Sequence, residues 1–279
     1  MTLRSLFYAL PPDLRFVARR LYYLPSDTIR ELRGQRHPFE PPRGAIYTGA
    51  GDILEQGRQQ FGLLRTHIDV QPGDSVLDIG SGIGRTAIPL TEYLSAQGRY
   101  EGFDVVERGV EWCRTKITPA HPNFTFTYVP LNNDLYNNSE LRATEFTFPY
   151  ADQSFDKTFL FSVFTHMGIE EIAHYLTEIN RVLVPGGRCL ATFFTYDDDS
   201  EDRVARKPKF SFPVRGEGYR LMDANVTAAN IAVHRNKLRG MIADAGLRLD
   251  AIVDGTWNGA PKRPGTNEFQ DVVVISKPT

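Results

Sequence analysis

The sequence predicts a doubly wound α/β fold, a mostly parallel seven-stranded sheet that ends in an antiparallel strand pair. Three observations carry that prediction. Strand and helix signals alternate from residue 70 onward, a glycine-rich turn joins the first strand to the first helix, and no helix separates the last two strands. Strict alternation implies right-handed crossovers and helices on both faces of the sheet.

The elements follow in order. Asp74 to Ile79 is a short apolar run between turn signals and predicts a buried strand. Arg85 to Leu94 predicts a helix, Arg99 to Val105 a second strand, and Glu107 to Ile117 a second helix. Phe124 to Val129 alternates as a third strand, and Phe155 to Val163 is a fourth. Glu170 to Leu183 places Ile172, Tyr175, Leu176, Ile179 and Leu183 on one helical face. Pro185-Gly186-Gly187 predicts a turn into a fifth strand, Arg188 to Thr195. After a long interruption come a helix near Asn230 to Ala245 and strands Leu247 to Val253 and Asp271 to Ser276. The loop between those two strands holds Trp257.

Two stretches break the rhythm. Residues 1–44 carry eight Arg and no Lys against Asp13, Asp27, Glu31 and Glu40, a net of +4, and six prolines divide them. Within them, Leu14, Val17, Ala18 and Leu21 recur at helical spacing, which predicts an amphipathic helix over Asp13 to Tyr23. Packing on the main domain, a homodimer contact and peripheral membrane contact all stay open for it. The chain thus divides into a basic, proline-rich extension at 1–44 and a main domain at 45–279. Within the latter, residues 197–229 begin acidic, turn basic and aromatic, and show no clear period. An insertion of that length after strand five predicts a lid or a disordered loop.

Hydrophobic residues make up 41% of the 279 residues and charged residues 24%, the balance of a water-soluble globular protein. A formal net charge of -2 gives no reason to expect nucleic-acid binding. No signal peptide or membrane span is apparent, so a cytoplasmic location is expected. Cys113 and Cys189 are then expected as free thiols, and no His/Cys/Asp cluster has the spacing of metal ligands.

The most informative stretch is Val76-Leu77-Asp78-Ile79-Gly80-Ser81-Gly82-Ile83-Gly84-Arg85. Glycine lets a backbone turn tightly and approach a ligand closely. In open α/β sheets the crevice lies beyond the carboxyl ends of the strands, so this loop forms its floor. Gly80 and Gly82 fit the dinucleotide pattern G-x-G-x-x-G/A, but position 85 is Arg, which opposes close helix–strand packing there.

The loop resembles the first motif of the class I, Rossmann-like S-adenosylmethionine-dependent methyltransferases. Tyr100 to Asp104, Phe161 to Met167 and Arg181 to Gly187 are similar to further segments of that family, in order, over roughly residues 45–277. The resemblance implies S-adenosylmethionine as cofactor and a floor formed by Gly80, Gly82 and Gly84. It implies Asp104 on the ribose hydroxyls, and Phe161 and Ser162 beside the transferable methyl. For Asp78, ordering the loop and facing the ligand's ammonium both stand. For Ser81, capping the next helix and touching the ligand both stand. Backbone N–H groups near Leu131 or Asn132 are expected at the adenine, and Trp112 either walls the nucleoside or packs under its helix.

If the nucleophile is a hydroxyl, a base must take its proton. His166, just after strand four, is the candidate, and fixing its loop is the alternative role. His234 and the acidic run from Asp197 are more remote options. Tyr47, Phe212 and Tyr219 are the acceptor-contacting candidates, Tyr47 from a Gly-rich segment that either folds over the cofactor or is an ordinary loop into the helix from Ile53. The expected acceptor is a small organic molecule carrying a sugar, lipid or secondary-metabolite hydroxyl. A non-catalytic cofactor-binding partner and a nicotinamide-dependent oxidoreductase remain the competing readings.

Overall fold

The computed structural model describes residues 12–47, 49, 51–131, 141–207, 210–224, 229–259 and 268–279. Seven strands form one sheet: β1 (Ser75–Ile79), β2 (Arg99–Asp104), β3 (Phe124–Tyr128), β4 (Phe155–Leu160), β5 (Leu183–Phe193), β10 (Arg248–Val253) and β11 (Asp271–Ser276). Their order is β10-β11-β5-β4-β1-β2-β3. All pairs from β5 to β3 are parallel, whereas β11 runs antiparallel to both β5 and β10. The predicted doubly wound sheet with its terminal antiparallel pair is the observed one. Chain order reverses between β1 and β4, and a crevice opens at that point.

Each sheet face has its own core. Leu77, Ile79 and Leu160 point to one side, against α5 (Ile169–Val182) and α7 (Arg235–Asp244). Val76, Phe159 and Leu190 point to the other, against Val110 and Cys113 of α4 (Glu107–Lys116) and the turn at Leu64 and Ile68. Both cysteines are free and buried.

Several boundaries differ from the prediction. The first helix after the glycine loop, α3, spans only Ala87–Thr91, because residues 82–86 run as successive turns. Pro185-Gly186-Gly187 does not precede β5 but interrupts it as a bulge. Phe155 pairs with Leu183 and Lys157 already with Arg188. The stretch predicted as one helix near Asn230 to Ala245 splits into β9 (Ile231–His234) and α7, with His234 Nδ1 capping Asn236 N at 3.2 Å.

The described part of 197–229 is no irregular loop. It contains α6 (Glu201–Arg206), β7 (Val214–Arg215) and β8 (Tyr219–Leu221). With β6 (Thr195–Tyr196) and β9 the strands make a second, four-stranded sheet ordered β6-β9-β8-β7. Its aromatics turn inward onto Trp257 to form a satellite core.

The N-terminal helix α1 runs Pro12–Leu32, past the predicted end at Tyr23 and through Pro25. The carbonyl of Leu21, which Pro25 cannot serve, belongs to an exposed residue and can turn to water. One side of α1 packs on a turn at Arg43–Ala45, where buried Asp27 accepts from Arg43 N and Gly44 N at 3.1 and 3.2 Å. The other side leaves Leu14, Val17, Leu21 and Leu32 exposed. Among the described residues no helix is long and apolar enough to cross a membrane.

Candidate active site

The glycine loop leaves β1 with Gly80, Gly82 and Gly84 all in the left-handed region, at φ 84°, 58° and 84°. An L side chain is strained at any of them. Gly80 and Gly82 line a cavity of about 360 Å3 at the carboxyl ends of β1, β2 and β4. Gly84 does not. A Cβ there would sit 2.8 Å from Cys113 Sγ, so this glycine lets α4 approach the loop.

Asp104 ends β2 and lines the same cavity. Its carboxylate accepts from Gly82 N at 2.7 Å and Val106 N at 2.8 Å, which fixes the loop to the strand end. A carboxylate offers roughly four acceptor sites, so two bonds leave capacity for a vicinal diol. Burial pushes the Asp104 pKa up to about 6, against the pull of the Val106 and Gly82 amides. Hydroxyl donors from a ligand would relieve that penalty. Asp78, by contrast, is buried behind the loop and accepts from Tyr100 Oη at 2.6 Å. It does not line the cavity, and burial pushes its pKa up to about 7. Ser81 is also buried and outside the cavity, its amide on Phe103 O at 3.0 Å.

The opposite wall comes from the segment after β4. Ser162 holds φ 60°, one of three non-glycine residues in the left-handed region among those described. Its amide donates to Thr192 Oγ1 at 2.8 Å and its Oγ to Gln270 Oε1 at 2.9 Å, so β5 and the start of β11 hold the strained turn in place. Phe161, Ser162 and Val163 line the cavity. A short turn at Phe164–His166 then brings His166 and Met167 to its edge. Glu171 and Tyr175 of α5 complete this wall, Glu171 Oε2 also accepting from Gly168 N at 2.7 Å. Leu131 lines the β3 end.

The third wall lies N-terminal to the sheet. Tyr47 and Gly49 line the cavity together with Arg85. A Cβ on Gly49 would lie 3.2 Å from Arg85 Nη2, so the guanidinium sits directly against this segment. Arg85 is half-buried, its Nε is shut off from solvent, and burial lowers its pKa. Asp52 caps α2 (Ile53–Leu63) through Leu54 N and Glu55 N, which fixes where the segment ends.

Of the residues singled out in the sequence, the structure therefore gathers Tyr47, Gly80, Gly82, Asp104, Leu131, Phe161, Ser162 and His166 around one cavity. It places Asp78, Ser81 and Gly84 behind the loop. Asn132 lies outside the described residues. Trp112 packs with Ile46 and Ile53 and donates to Phe39 O at 3.3 Å, away from the cavity. Phe212 is fully buried in the satellite core, and Tyr219 packs on the main core from β8. Neither lines the cavity, because both side chains are used to join the second sheet to its surroundings. His234 instead meets Asp198 Oδ1 at 3.3 Å. Sequence reasoning missed Arg85, Glu171, Tyr175 and Gln270 as cavity residues. Arg85 had a signal, its place directly after the third glycine. Gln270 had none, being 108 positions from the serine it holds. Among the described residues no group of His, Cys, Asp and Glu has the makings of a metal site.

Comparison with known proteins agrees with this geometry. A methyltransferase-domain family profile matches residues 77–191, from the glycine loop through β5. The methyltransferase GfsG of Streptomyces halstedii is 29% identical over 226 residues, covering 80% of this chain and 70% of that protein. An S-adenosylmethionine-dependent methyltransferase from Mesorhizobium loti shares the fold at 16% identity and TM-score 0.52, over 78% of this chain and 97% of that one. The [4+2]-cyclase SpnF shares it at 14% identity and TM-score 0.51, over 94% and 95% of the two chains. The family profile, the strand order and the glycine loop closed by Asp104 converge: residues 77–191 match a methyltransferase domain, in a fold of the class I, Rossmann-like S-adenosylmethionine-dependent type, and the cofactor is S-adenosylmethionine.

Proposed function

We propose that the chain methylates a hydroxyl of a small organic acceptor, of the sugar, lipid or secondary-metabolite kind, with His166 taking the proton. The observation that carries this reading is that His166 and Asp104 line one cavity, across which cofactor and acceptor can meet. The bound cofactor supplies the electrophilic methyl group, and the protein's work is binding, alignment and proton removal. Three charged side chains line the cavity. Asp104 accepts the ribose hydroxyls. Arg85 faces the cofactor's carboxylate, the one anionic group it must place in a half-buried site. Glu171 lies on the acceptor wall with His166. Met167, Val163 and Tyr175 supply apolar surface around the acceptor.

The test pairs two measurements. S-adenosylhomocysteine affinity is read by calorimetry, and methyl transfer is read against a panel of hydroxylated small molecules. His166→Gln is expected to keep the affinity and lower turnover by about 10²–10⁴-fold, the usual range for a lost general base. Turnover at the wild-type rate in that variant would remove His166 from the chemistry. Cofactor binding with no transfer to any acceptor would favour a binding or regulatory role.

A further inference from the structure

The methyltransferase-domain match begins at residue 77, yet the cavity's third wall is Tyr47. What holds Tyr47 there is helix α1. The Tyr47 hydroxyl and the Gly82 carbonyl both lie against Gly109, where a Cβ would meet them, so Tyr47 sits beside the glycine loop. Its ring stacks under the Arg108 guanidinium, 5.8 Å from the ring centroid, and the same guanidinium covers Phe16 of α1 at 4.2 Å. The backbone leading to Tyr47 is fixed from the same helix. Asp27 holds the amides of Arg43 and Gly44, and a Cβ on Gly44 would meet Arg20 Cα at 2.8 Å.

We infer that the N-terminal helix is part of the cofactor site. Phe16 and Arg108 are positioning residues that hold Tyr47 over the glycine loop, and cofactor binding is thereby coupled to docking of α1. This rests on the assignment of the cavity to S-adenosylmethionine. Coupling of two binding events is reciprocal: whatever factor the docked helix adds to cofactor affinity, the cofactor adds to helix docking.

The experiment uses the full chain with S-adenosylhomocysteine as the probe. Arg108→Ala should raise its Kd by about two- to fivefold, the scale of a cation–π contact at an exposed site. Arg108→Lys should recover most of the loss. Gly44→Ala, which pushes the backbone off α1, should do at least as much as Arg108→Ala. In the wild type, ligand should slow amide hydrogen exchange across Pro12–Leu32 by a comparable factor, and Arg108→Ala should abolish that slowing. Exchange in α1 unchanged by a ligand that binds, or an unchanged Kd in both variants, overturns the coupling and leaves the cofactor assignment intact. A wild-type chain that binds no S-adenosylhomocysteine overturns both.

Discussion

The two carboxyl-edge regions of the molecule are built on opposite principles. Around the cofactor cavity the backbone turns through left-handed conformations, Gly80, Gly82, Gly84 and Ser162 all at positive φ, and polar side chains stand among apolar ones. Beside the second sheet, β6 to β9, Phe194, Tyr196, Phe212 and Trp257 are buried in one cluster. That sheet is tied down by one carboxylate, Asp271, which accepts from Thr195 N, Thr195 Oγ1, Gly255 N and Trp257 Nε1 at 2.7–2.9 Å. The difference separates two jobs that aromatic-rich sequence makes look alike. The first region bends its backbone to shape a site, and the second packs to hold β5, β11 and the chain between them. His166, Met167, Glu171 and Tyr175 line the cavity and the buried aromatics after strand five do not, so the proposed acceptor contacts are sought among the former.

The sharpest way to break that contrast is to empty the satellite core. Phe212 has no exposed surface and sits 5.5 Å, centroid to centroid, from both Phe194 and Trp257. Phe212→Ala should destabilise the fold by about 3–5 kcal/mol, the usual range for a buried Phe. S-adenosylhomocysteine affinity of the folded fraction should be unchanged. Denaturant melts and calorimetry on one preparation give both numbers. A stable variant with lost turnover would return Phe212 to the acceptor site.

At the cavity the expected pattern inverts. Asp104→Ala should leave the chain folded and weaken S-adenosylhomocysteine by about 1–3 kcal/mol, roughly five- to 150-fold, because the ribose hydroxyls lose their proposed acceptor. Wild-type affinity with an intact fold would put the ribose elsewhere.

How much of this was legible beforehand divides along the same line. β11 was readable to the residue, Asp271–Ser276, because a continuous apolar run in a sheet buried on both faces is its own signal. The glycine loop was equally plain. Residues 231–234 were misread as helix because Ile231 and Val233 continue an apolar pattern into α7. Only pairing with β6 and β8 makes them a strand. The site was half legible. Local motifs delivered Gly82, Asp104 and Ser162, whereas Gln270 on Ser162 and Phe16 on Arg108 are contacts between remote segments with no shared pattern.

A smaller effect comes from pH. With the ribose hydroxyls on ionised Asp104, as proposed, binding acts on a group whose pKa is pushed up to about 6 by burial. Binding must therefore lower that pKa, and a proton is released on association when the pH is near or below 6. Affinity should be flat above neutrality and fall by up to about tenfold per pH unit as pH drops through 6. Asp104→Asn should flatten this profile, which calorimetry from pH 5 to 8 would show.

The smallest expected effect on the ligand, and the one that separates loop order from ligand contact, is at Asp78. Its carboxyl is buried, takes the Tyr100 hydroxyl at 2.6 Å and stays out of the cavity. Asparagine keeps an acceptor for Tyr100, so Asp78→Asn should hold S-adenosylhomocysteine affinity within about twofold, under 0.5 kcal/mol by the usual conversion. Stability should nonetheless change its pH dependence. Burial raises the folded-state pKa to about 7 from an ordinary 3.8, so the folded chain binds more protons than the unfolded one between those values. Wild-type stability from this group is full below the unfolded pKa and is lost as pH rises through the folded one. Asp78→Asn has no proton to lose. Its melting temperature, relative to wild type, should climb from pH 5 to pH 8 and meet or exceed wild type at the upper end. A tenfold loss of ligand affinity would instead mean that Asp78 reaches the cofactor's ammonium. The loop would then have to open around the ligand, and the line between a polar site and its buried support would move one residue shell inward.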